Sequence, residues 1–192
     1  IGSRLGKLTN NIPKPMLKVG SKPMLEHIIN NFISYGYTNF LISVNYKSHI
    51  IKDHFGDGAK YGVDIQYIEE KEKLGTGGSL SLIDFTLKDP FFVINGDMLT
   101  SIDFEKFHRF HVSNDSNATI CTKKNYYKIP YGVLNIDINN TILSIDEKPE
   151  FNYLINTGIY MLNPETLKYI PKNHYFDMPT LFKLLREDNL MI

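Results

Sequence analysis

Helical and strand patterns alternate through the first hundred residues, and this alternation is the feature that most restricts the fold. Met24–Tyr35 has apolar residues at helical spacing and is followed by Gly36, which is typical of a helix end. The apolar run Phe40–Val44 is typical of a fully buried strand, and Val63–Ile68 has a second strand pattern after another helical stretch. Such an alternation predicts βαβ units around a parallel sheet, and therefore an α/β fold.

A polar triplet follows the clearest buried strand of the sequence, Phe91–Ile94. In an open parallel sheet, ligands bind beyond the carboxyl ends of the strands, where Asn95, Gly96 and Asp97 stand. Gly96 allows close approach to the backbone, and Mg²⁺ prefers carboxylate and phosphate oxygens. Asp97 is therefore a candidate metal ligand, and the alternative is a turn residue or a helix cap.

The stretch 1–19 places Gly-Ser-Arg about ten residues before Pro-Lys-Pro. Gly2 adds no side-chain bulk, Ser3 offers a hydroxyl group, and Arg4 can hold phosphate oxygens with two parallel hydrogen bonds. The prolines on both sides of Lys14 restrict its backbone and predict a stiff, extended segment. Together these residues predict a polyphosphate-binding loop, and the alternative is a solvated basic loop.

A glycine-rich segment, Leu74–Gly78, precedes a helical pattern that continues to about Leu87. Glycine leaves the peptide N–H and C=O groups unscreened, so the segment can hydrogen-bond the edge of a nucleobase. A tight turn explains the same glycines without a ligand.

From Ala118 onward the sequence changes to strand patterns, predicted at Ala118–Thr122, Gly132–Ile136, Thr141–Ile145 and Ile155–Leu162. Glu147 and Lys148 follow the third of these strands, where a carboxylate can accept hydrogen bonds from sugar hydroxyls and an ammonium group can hold a phosphate. An exposed strand end with an incidental ion pair is the alternative. Asn156 carries an amide that needs partners if it is buried.

Helical patterns return at 164–169 and 178–187, and Asp177 is first interpreted as a helix cap.

Composition excludes several classes of protein. The 192 residues fit one domain with a substantial core, and 21 basic residues balance 21 acidic ones, so no net charge favours nucleic acid or a membrane surface. No apolar run approaches the length of a membrane span. A single cysteine, Cys121, excludes an internal disulfide and predicts a cytoplasmic location.

The opening stretch resembles the motif G-x-G-[ST]-R-L-x-x-x-T-x-x-x-P-K-x-[ML] of the sugar-1-phosphate nucleotidyltransferases. The Gly-Asp at 96–97, L-G-T-G-G at 74–78, E-K-P at 147–149 and N-T-G-I-Y at 156–160 resemble further motifs of that family. The family joins an NTP to a sugar 1-phosphate and releases pyrophosphate. The resemblance implies a Rossmann-like three-layer α/β/α sandwich with a mixed, mainly parallel sheet. It also implies one domain over 1–192, with a nucleotide-binding half at 1–113 and a sugar-phosphate-binding half at 114–192.

The resemblance assigns roles position by position. It implies catalytic roles for Arg4 and Lys14, nucleotide contacts from Gly2, Ser3, Gly75 and Gly78, sugar-phosphate contacts from Gly132, Glu147, Lys148, Asn156 and Thr157, and a Mg²⁺ ligand in Asp97.

The glycine-rich segment looks most like that of the guanylyltransferase branches, so the resemblance implies GTP with a mannose-, heptose- or glucosamine-type 1-phosphate. A uridylyl-, thymidylyl- or cytidylyltransferase on the same fold is the nearest alternative, and a catalytically silent nucleotide-sugar sensor is another. A homo-oligomer is compatible with the sequence.

The first strand of the family pattern and its W-x-D-x-G segment, which carries a second metal-binding Asp, are not found in this sequence. These gaps predict that this stretch lacks part of the catalytic machinery.

Overall fold

The computed structural model describes Thr9 and residues 11–192. Residue contacts divide the chain into two compact units. The larger unit contains the chain up to Thr119 together with Gly158–Ile192, and the smaller unit is Ile120–Thr157. The assignment of nucleotide and sugar phosphate to the halves 1–113 and 114–192 stays a prediction.

The larger unit holds the helices and most of the short strands. Its elements are β1 Lys18–Val19, β2 Lys22–Pro23, α1 Met24–Ser34, β3 Asn39–Val44, α2 Ser48–Phe55, β4 Asp64–Glu69, β5 Phe91–Ile94, α3 Phe104–Ser113 and α4 Met178–Glu187. Short 3₁₀ helices occupy Lys14–Met16, Ala59–Tyr61, Gly78–Leu82 and Pro164–Tyr169. Two longer strands, β6 (Ala118–Lys128) and β9 (Glu150–Leu162), have residues in both units.

Parallel and antiparallel pairings both occur. Strands β3 and β4 pair in parallel from Asn39 opposite Asp64 to Val44 opposite Glu69, which is the βαβ unit expected from the alternation. Strand β5 pairs with β9 in antiparallel fashion, and β9 lies between β5 and β6. The predicted α/β class is confirmed. Among the described residues, the parallel pair β3–β4 and the antiparallel pairs belong to separate sheets.

Helix α1 carries the apolar face that its periodicity predicts, and its buried residues include Ile29 and Phe32. The Phe32 ring stacks on Phe104 of α3 with centroids 4.0 Å apart, and Phe92 of β5 contacts both rings edge to face. Aromatic pairs of this kind add stabilisation beyond their buried area. This cluster therefore joins α1, α3 and β5.

The predicted helix from the glycine-rich segment to about Leu87 is wrong, because only the 3₁₀ helix Gly78–Leu82 forms. The Ser81 hydroxyl donates to the Gly78 carbonyl oxygen at 2.7 Å, which competes for the acceptor that an α-helix would use. Ile83 then has an extended conformation, with φ −67° and ψ 117°.

In the smaller unit, β7 (Gly132–Ile136) and β8 (Ile142–Glu147) form an antiparallel hairpin in which Gly132 lies opposite Glu147. The turn is closed by the Asp137 N–H, which donates to Thr141 O at 3.0 Å. Strands β6 and β9 are longer than predicted. Their additional residues are exposed on both sides, so the sequence shows no alternation of apolar and polar residues there that would indicate a strand.

Within the part of the chain that the structure describes, no helix has the length and apolar composition needed to cross a membrane.

Replacing Phe104 by Ala should destabilise the larger unit strongly. The Phe104 side chain is fully buried against the Phe32 ring, and truncation of a buried Phe costs about 3–5 kcal/mol of unfolding free energy. Phe110 on the same helix is 57% exposed, so Phe110→Ala serves as the matched control, with an expected change within about 0.5 kcal/mol. Urea unfolding of both variants measures the difference, and equal costs would contradict this description of the core.

Candidate active site

Lys14 and Asp97 form an ion pair in the larger unit. The Lys14 Nζ contacts Asp97 Oδ2, and the two side chains are 31% and 13% exposed, respectively. The pair therefore brings a cation and a carboxylate together at a place that solvent still reaches. Both residues are candidates from the sequence, and their proximity could not be deduced from their separation along the chain.

The contact between Pro15 and Gly96 explains why the pair forms. A Cβ atom placed on Gly96 would lie 3.3 Å from Pro15 Cγ, so the glycine lets the proline ring pack directly on the turn after β5. The extended segment predicted around Lys14 is wrong, because Lys14–Met16 forms a 3₁₀ turn in which Met16 N–H donates to Pro13 O at 2.8 Å. A residue that precedes proline, as Lys14 does, usually has an extended backbone. Here the 3₁₀ turn overrides that preference, because the first turn of a helix tolerates proline.

Gly158 holds the other side of this turn and was missed as a site residue. Its carbonyl oxygen accepts from the Asn95 N–H at 3.2 Å, and its φ is +76°. A Cβ atom on Gly158 would lie 2.4 Å from Asn95 Nδ2, so only glycine fits there without a shift. The signal in the sequence was a glycine inside a strand, which marks a close approach of another group.

The donor set at Asp97 is compatible with Mg²⁺. No group of three or more His, Cys, Asp or Glu side chains that could hold a metal occurs among the described residues. Magnesium is commonly held by one or two carboxylates together with substrate phosphates. A single carboxylate beside a lysine therefore fits a metal that arrives with a polyphosphate rather than one held by the protein alone.

The glycine-rich segment Leu74–Gly78 is fixed by a second stretch, 174–178. The N–H groups of Gly77 and Gly78 donate to Phe176 O at 2.9 and 3.0 Å, and Phe176 N–H donates to Leu74 O at 2.8 Å. Cβ atoms on Gly75 and Gly78 would lie 2.6 Å from Phe176 O and 2.7 Å from His174 O. These glycines therefore have a packing reason in addition to the predicted nucleotide contact, which stays a prediction for both.

Asp177 occupies the residue before α4, but its side chain does not cap that helix. Its Oδ1 accepts from the Thr76 N–H at 2.9 Å and from Thr76 Oγ1 at 3.0 Å, and Tyr175 OH donates to Oδ2 at 2.8 Å. Thr76 Oγ1 in turn accepts from Met178 N–H at 2.9 Å, so the threonine hydroxyl caps the helix instead. These donors, with the Thr76 backbone N–H first, hold the pKa of Asp177 below its ordinary value.

The smaller unit places Gly132, Glu147 and Lys148 together at one end of the hairpin. A Cβ atom on Gly132 would lie 3.2 Å from Glu147 Oε2, so the carboxylate lies across the glycine. Lys148 has a left-handed backbone with φ +49°, its N–H donates to Tyr131 O at 3.2 Å, and its Nζ lies 3.7 Å from Glu147 Oε1. Both side chains are exposed and can bind a ligand from solvent.

The remaining predicted site residues of this unit lie on β9. Asn156 is exposed, so burial does not impose its partners, and Thr157 Oγ1 donates to Cys121 O at 2.8 Å. Gly2, Ser3 and Arg4 lie outside the described residues, and their roles stay predictions.

A family model described as nucleotidyl transferase matches residues 1–189 of the chain. Mannose-1-phosphate guanyltransferase 2 of Candida glabrata is 36% identical over 198 residues, covering 98% of this chain and 55% of the relative. The UTP–glucose-1-phosphate uridylyltransferase of Synechocystis is 32% identical over 195 residues, covering 92% of this chain and 50% of the relative. The chain thus spans about half the length of the curated relatives it matches.

Solved structures are similar as well. HddC from Yersinia pseudotuberculosis complexed with GMP-PN has 29% identity and a TM-score of 0.65, covering 86% of this chain and 73% of that one. A Bacillus anthracis structure described as a putative glucose-1-phosphate thymidylyltransferase has 23% identity and a TM-score of 0.76, covering 98% and 80%. At that identity the second likeness shows the fold alone.

The contribution of Asp177 to stability should depend on pH. Because its pKa is lowered in the folded chain, the contribution is present above the ordinary aspartate value of 3.8 and is lost as the pH falls through the lower folded value. Urea unfolding at pH 7 should therefore show Asp177→Asn to be less stable than wild type. The difference should shrink below about pH 4, and a difference that is constant down to pH 3 would contradict the assignment.

Proposed function

Because the chain belongs to the nucleotidyl transferase family, we propose that the protein transfers a nucleotidyl group from an NTP, GTP by preference, to a sugar 1-phosphate. The products are a nucleoside-diphosphate sugar and pyrophosphate. The observation that carries the proposal is the meeting of Lys14 and Asp97 at the carboxyl end of β5. A Mg²⁺–nucleotide complex offers a cation for the Asp97 carboxylate and phosphate oxygens for the Lys14 ammonium group.

Asp97 is the residue that would hold Mg²⁺. The ion, when bound, neutralises phosphate charge and so favours attack at phosphorus. Before the nucleotide binds, Lys14 balances the Asp97 carboxylate. With substrate present, Asp97 would hold the metal and Lys14 would bind phosphate oxygens.

The reaction proposed is an in-line displacement at the α-phosphorus. An oxygen of the sugar 1-phosphate forms the new O–P bond, the bond between the α-phosphorus and the bridging oxygen breaks, and that oxygen leaves with pyrophosphate. Positioning and charge neutralisation dominate such transfers, because little covalent chemistry is required of the protein. Lys14 holds the α-phosphate and the acceptor phosphate, while Arg4 stabilises the departing pyrophosphate.

We assign sugar-phosphate binding to residues of the smaller unit. Lys148 supplies a point charge for the phosphate, and Glu147, which lies across Gly132, accepts hydrogen bonds from sugar hydroxyls. Asn156 and Thr157 complete this set. The left-handed backbone at Lys148 supports the assignment, since strained residues cluster at functional sites.

GTP and a mannose-type sugar are favoured by the names of the similar proteins. Several relatives are called mannose-1-phosphate guanyltransferases, and one similar structure is described as a complex with GMP-PN. A relative called a uridylyltransferase keeps UTP and glucose 1-phosphate in the test panel.

We further propose that the protein works in the cytoplasm, where the Cys121 thiol stays reduced.

Pyrophosphate release with Mg²⁺, measured across four NTPs and a panel of sugar 1-phosphates for this chain and for a version extended at both ends, tests the function. We expect turnover with one NTP–sugar pair, with GTP and mannose 1-phosphate first in the panel, and no turnover when Mg²⁺ is chelated. If the protein binds nucleotide but shows no turnover in any combination, the transferase proposal is contradicted and a catalytically silent nucleotide-sugar sensor is favoured.

Lys14→Ala should lower kcat/KM by about a hundredfold or more, because a charge that neutralises phosphate is lost from the transition state. Because the Asp97 side chain is only 13% exposed and loses its partner, the melting temperature is measured beside kcat/KM, and a loss of turnover in the folded variant is the expected result. Lys52→Ala is the matched control, because Lys52 pairs with Glu69 on the same unit and has no proposed role. Equal activity in the two variants would remove Lys14 from the site.

Lys148→Ala should raise the KM for the sugar 1-phosphate by about tenfold or more and leave the KM for GTP unchanged, since it removes a charge-assisted hydrogen bond to the acceptor alone. Lys123→Ala, also an exposed lysine of the smaller unit, is the control. A rise in the KM for GTP instead would contradict the assignment of Lys148.

A further inference from the structure

The glycine-rich segment has three peptide groups that no described residue occupies. Among the residues that the structure describes, the Gly75 N–H, the Gly75 C=O and the Thr76 C=O have no hydrogen-bond partner. Gly75 and Thr76 are partly exposed, whereas Gly77 and Gly78 are buried and donate their N–H groups to Phe176 O. The part of the segment that is available to a ligand is therefore Gly75–Thr76.

These groups are held in place from the Thr76 side. Asp177 Oδ1 accepts both the backbone N–H and the hydroxyl of Thr76, at 2.9 and 3.0 Å, and Met178 N–H donates to the same hydroxyl oxygen at 2.9 Å. Three hydrogen bonds thus fix the orientation of the Thr76 residue, and Tyr175 OH fixes the other carboxylate oxygen at 2.8 Å.

The hydrogen-bonding groups that are available on Gly75 and Thr76 complement those of guanine. They comprise one donor and two acceptors, and the Watson–Crick edge of guanine presents one acceptor, O6, and two donors, N1–H and the 2-amino group. Uracil and thymine present two acceptors and one donor on that edge, so they would leave one peptide carbonyl without a partner. A desolvated polar group without a partner is costly, and such costs discriminate between ligands.

We propose that Asp177 and Thr76 form a positioning latch that orients the Gly75–Thr76 peptide groups to bind guanine. The proposal rests on the proposed function, with GTP as the nucleotide donor, and on the nucleotide contact that the family resemblance implies for this segment. Asp177 does not touch the nucleotide and acts through Thr76. The latch joins two stretches about a hundred residues apart, so the start of α4 contributes to nucleotide selection.

Thr76→Val and Thr76→Ser separate the latch from simple packing. Valine keeps the shape of threonine but cannot bond Asp177 or Met178 through its side chain, whereas serine keeps both bonds. We expect Thr76→Val to raise the Kd for GTP by about tenfold and to reduce the preference for GTP over UTP. The KM for the sugar 1-phosphate should stay close to that of wild type, and Thr76→Ser should restore most of the GTP affinity.

Tyr175→Phe is the second variant, and it keeps the test decisive if Thr76→Val does not fold. The Tyr175 ring is exposed, so removing its hydroxyl weakens the latch without opening a cavity. We expect a rise of a few-fold in the Kd for GTP. Tyr169→Phe is the matched control, because Tyr169 OH donates to Asp188 in the same unit in a similar tyrosine–aspartate pair, and its Kd should equal that of wild type.

GTP and UTP binding by calorimetry, beside melting temperatures and steady-state kinetics, distinguishes the outcomes. A lower melting temperature with unchanged nucleotide affinity in Thr76→Val and Tyr175→Phe would overturn the latch and leave the transferase standing. A wild-type protein that binds no nucleotide would overturn the proposed function, and the latch with it.

Discussion

The packing of Pro15 on Gly96 is the contact on which the proposed chemistry depends. It joins the 3₁₀ turn Lys14–Met16 to the turn after β5, and the absence of a side chain on Gly96 allows the approach. The Lys14–Asp97 pair is a consequence, because both side chains leave backbone segments that this contact holds together. On the other side, Gly158 admits Asn95 for the same steric reason. Preorganisation of the two charges thus comes from close backbone packing between small or rigid residues.

The segment Leu74–Gly78 illustrates how one glycine can serve packing and binding together. Gly78 is buried against the His174 carbonyl oxygen and donates its N–H to Phe176 O. Packing alone therefore explains why a residue without a side chain is needed at this position. Gly75 also needs the absence of a side chain, since a Cβ atom there would approach Phe176 O to 2.6 Å. Its N–H and C=O nevertheless have no partner among the described residues. The tight-turn and base-binding interpretations are therefore compatible, and they concern different atoms of the same segment.

Much of the fold could be predicted because periodicity and end signals agree locally. Strand β5 has the predicted bounds, and α4 begins and ends where its pattern does. The sequence also indicated Asp97, because the end of a buried strand is where α/β folds bind ligands. The role of Asp177 could not be predicted, since its bonds to Thr76 span 101 positions and no local pattern encodes them. Strands β6 and β9 were underestimated because exposure on both faces removes the alternation that identifies a strand.

A crystal structure with GTP and Mg²⁺ would test the central claim most directly, namely that Lys14 and Asp97 divide the charges of a metal–nucleotide complex. The account predicts that the metal lies on the Asp97 carboxylate, that Lys14 Nζ has moved to phosphate oxygens, and that the ion pair between them is broken. A nucleotide bound elsewhere, with the Lys14–Asp97 pair intact, would contradict it.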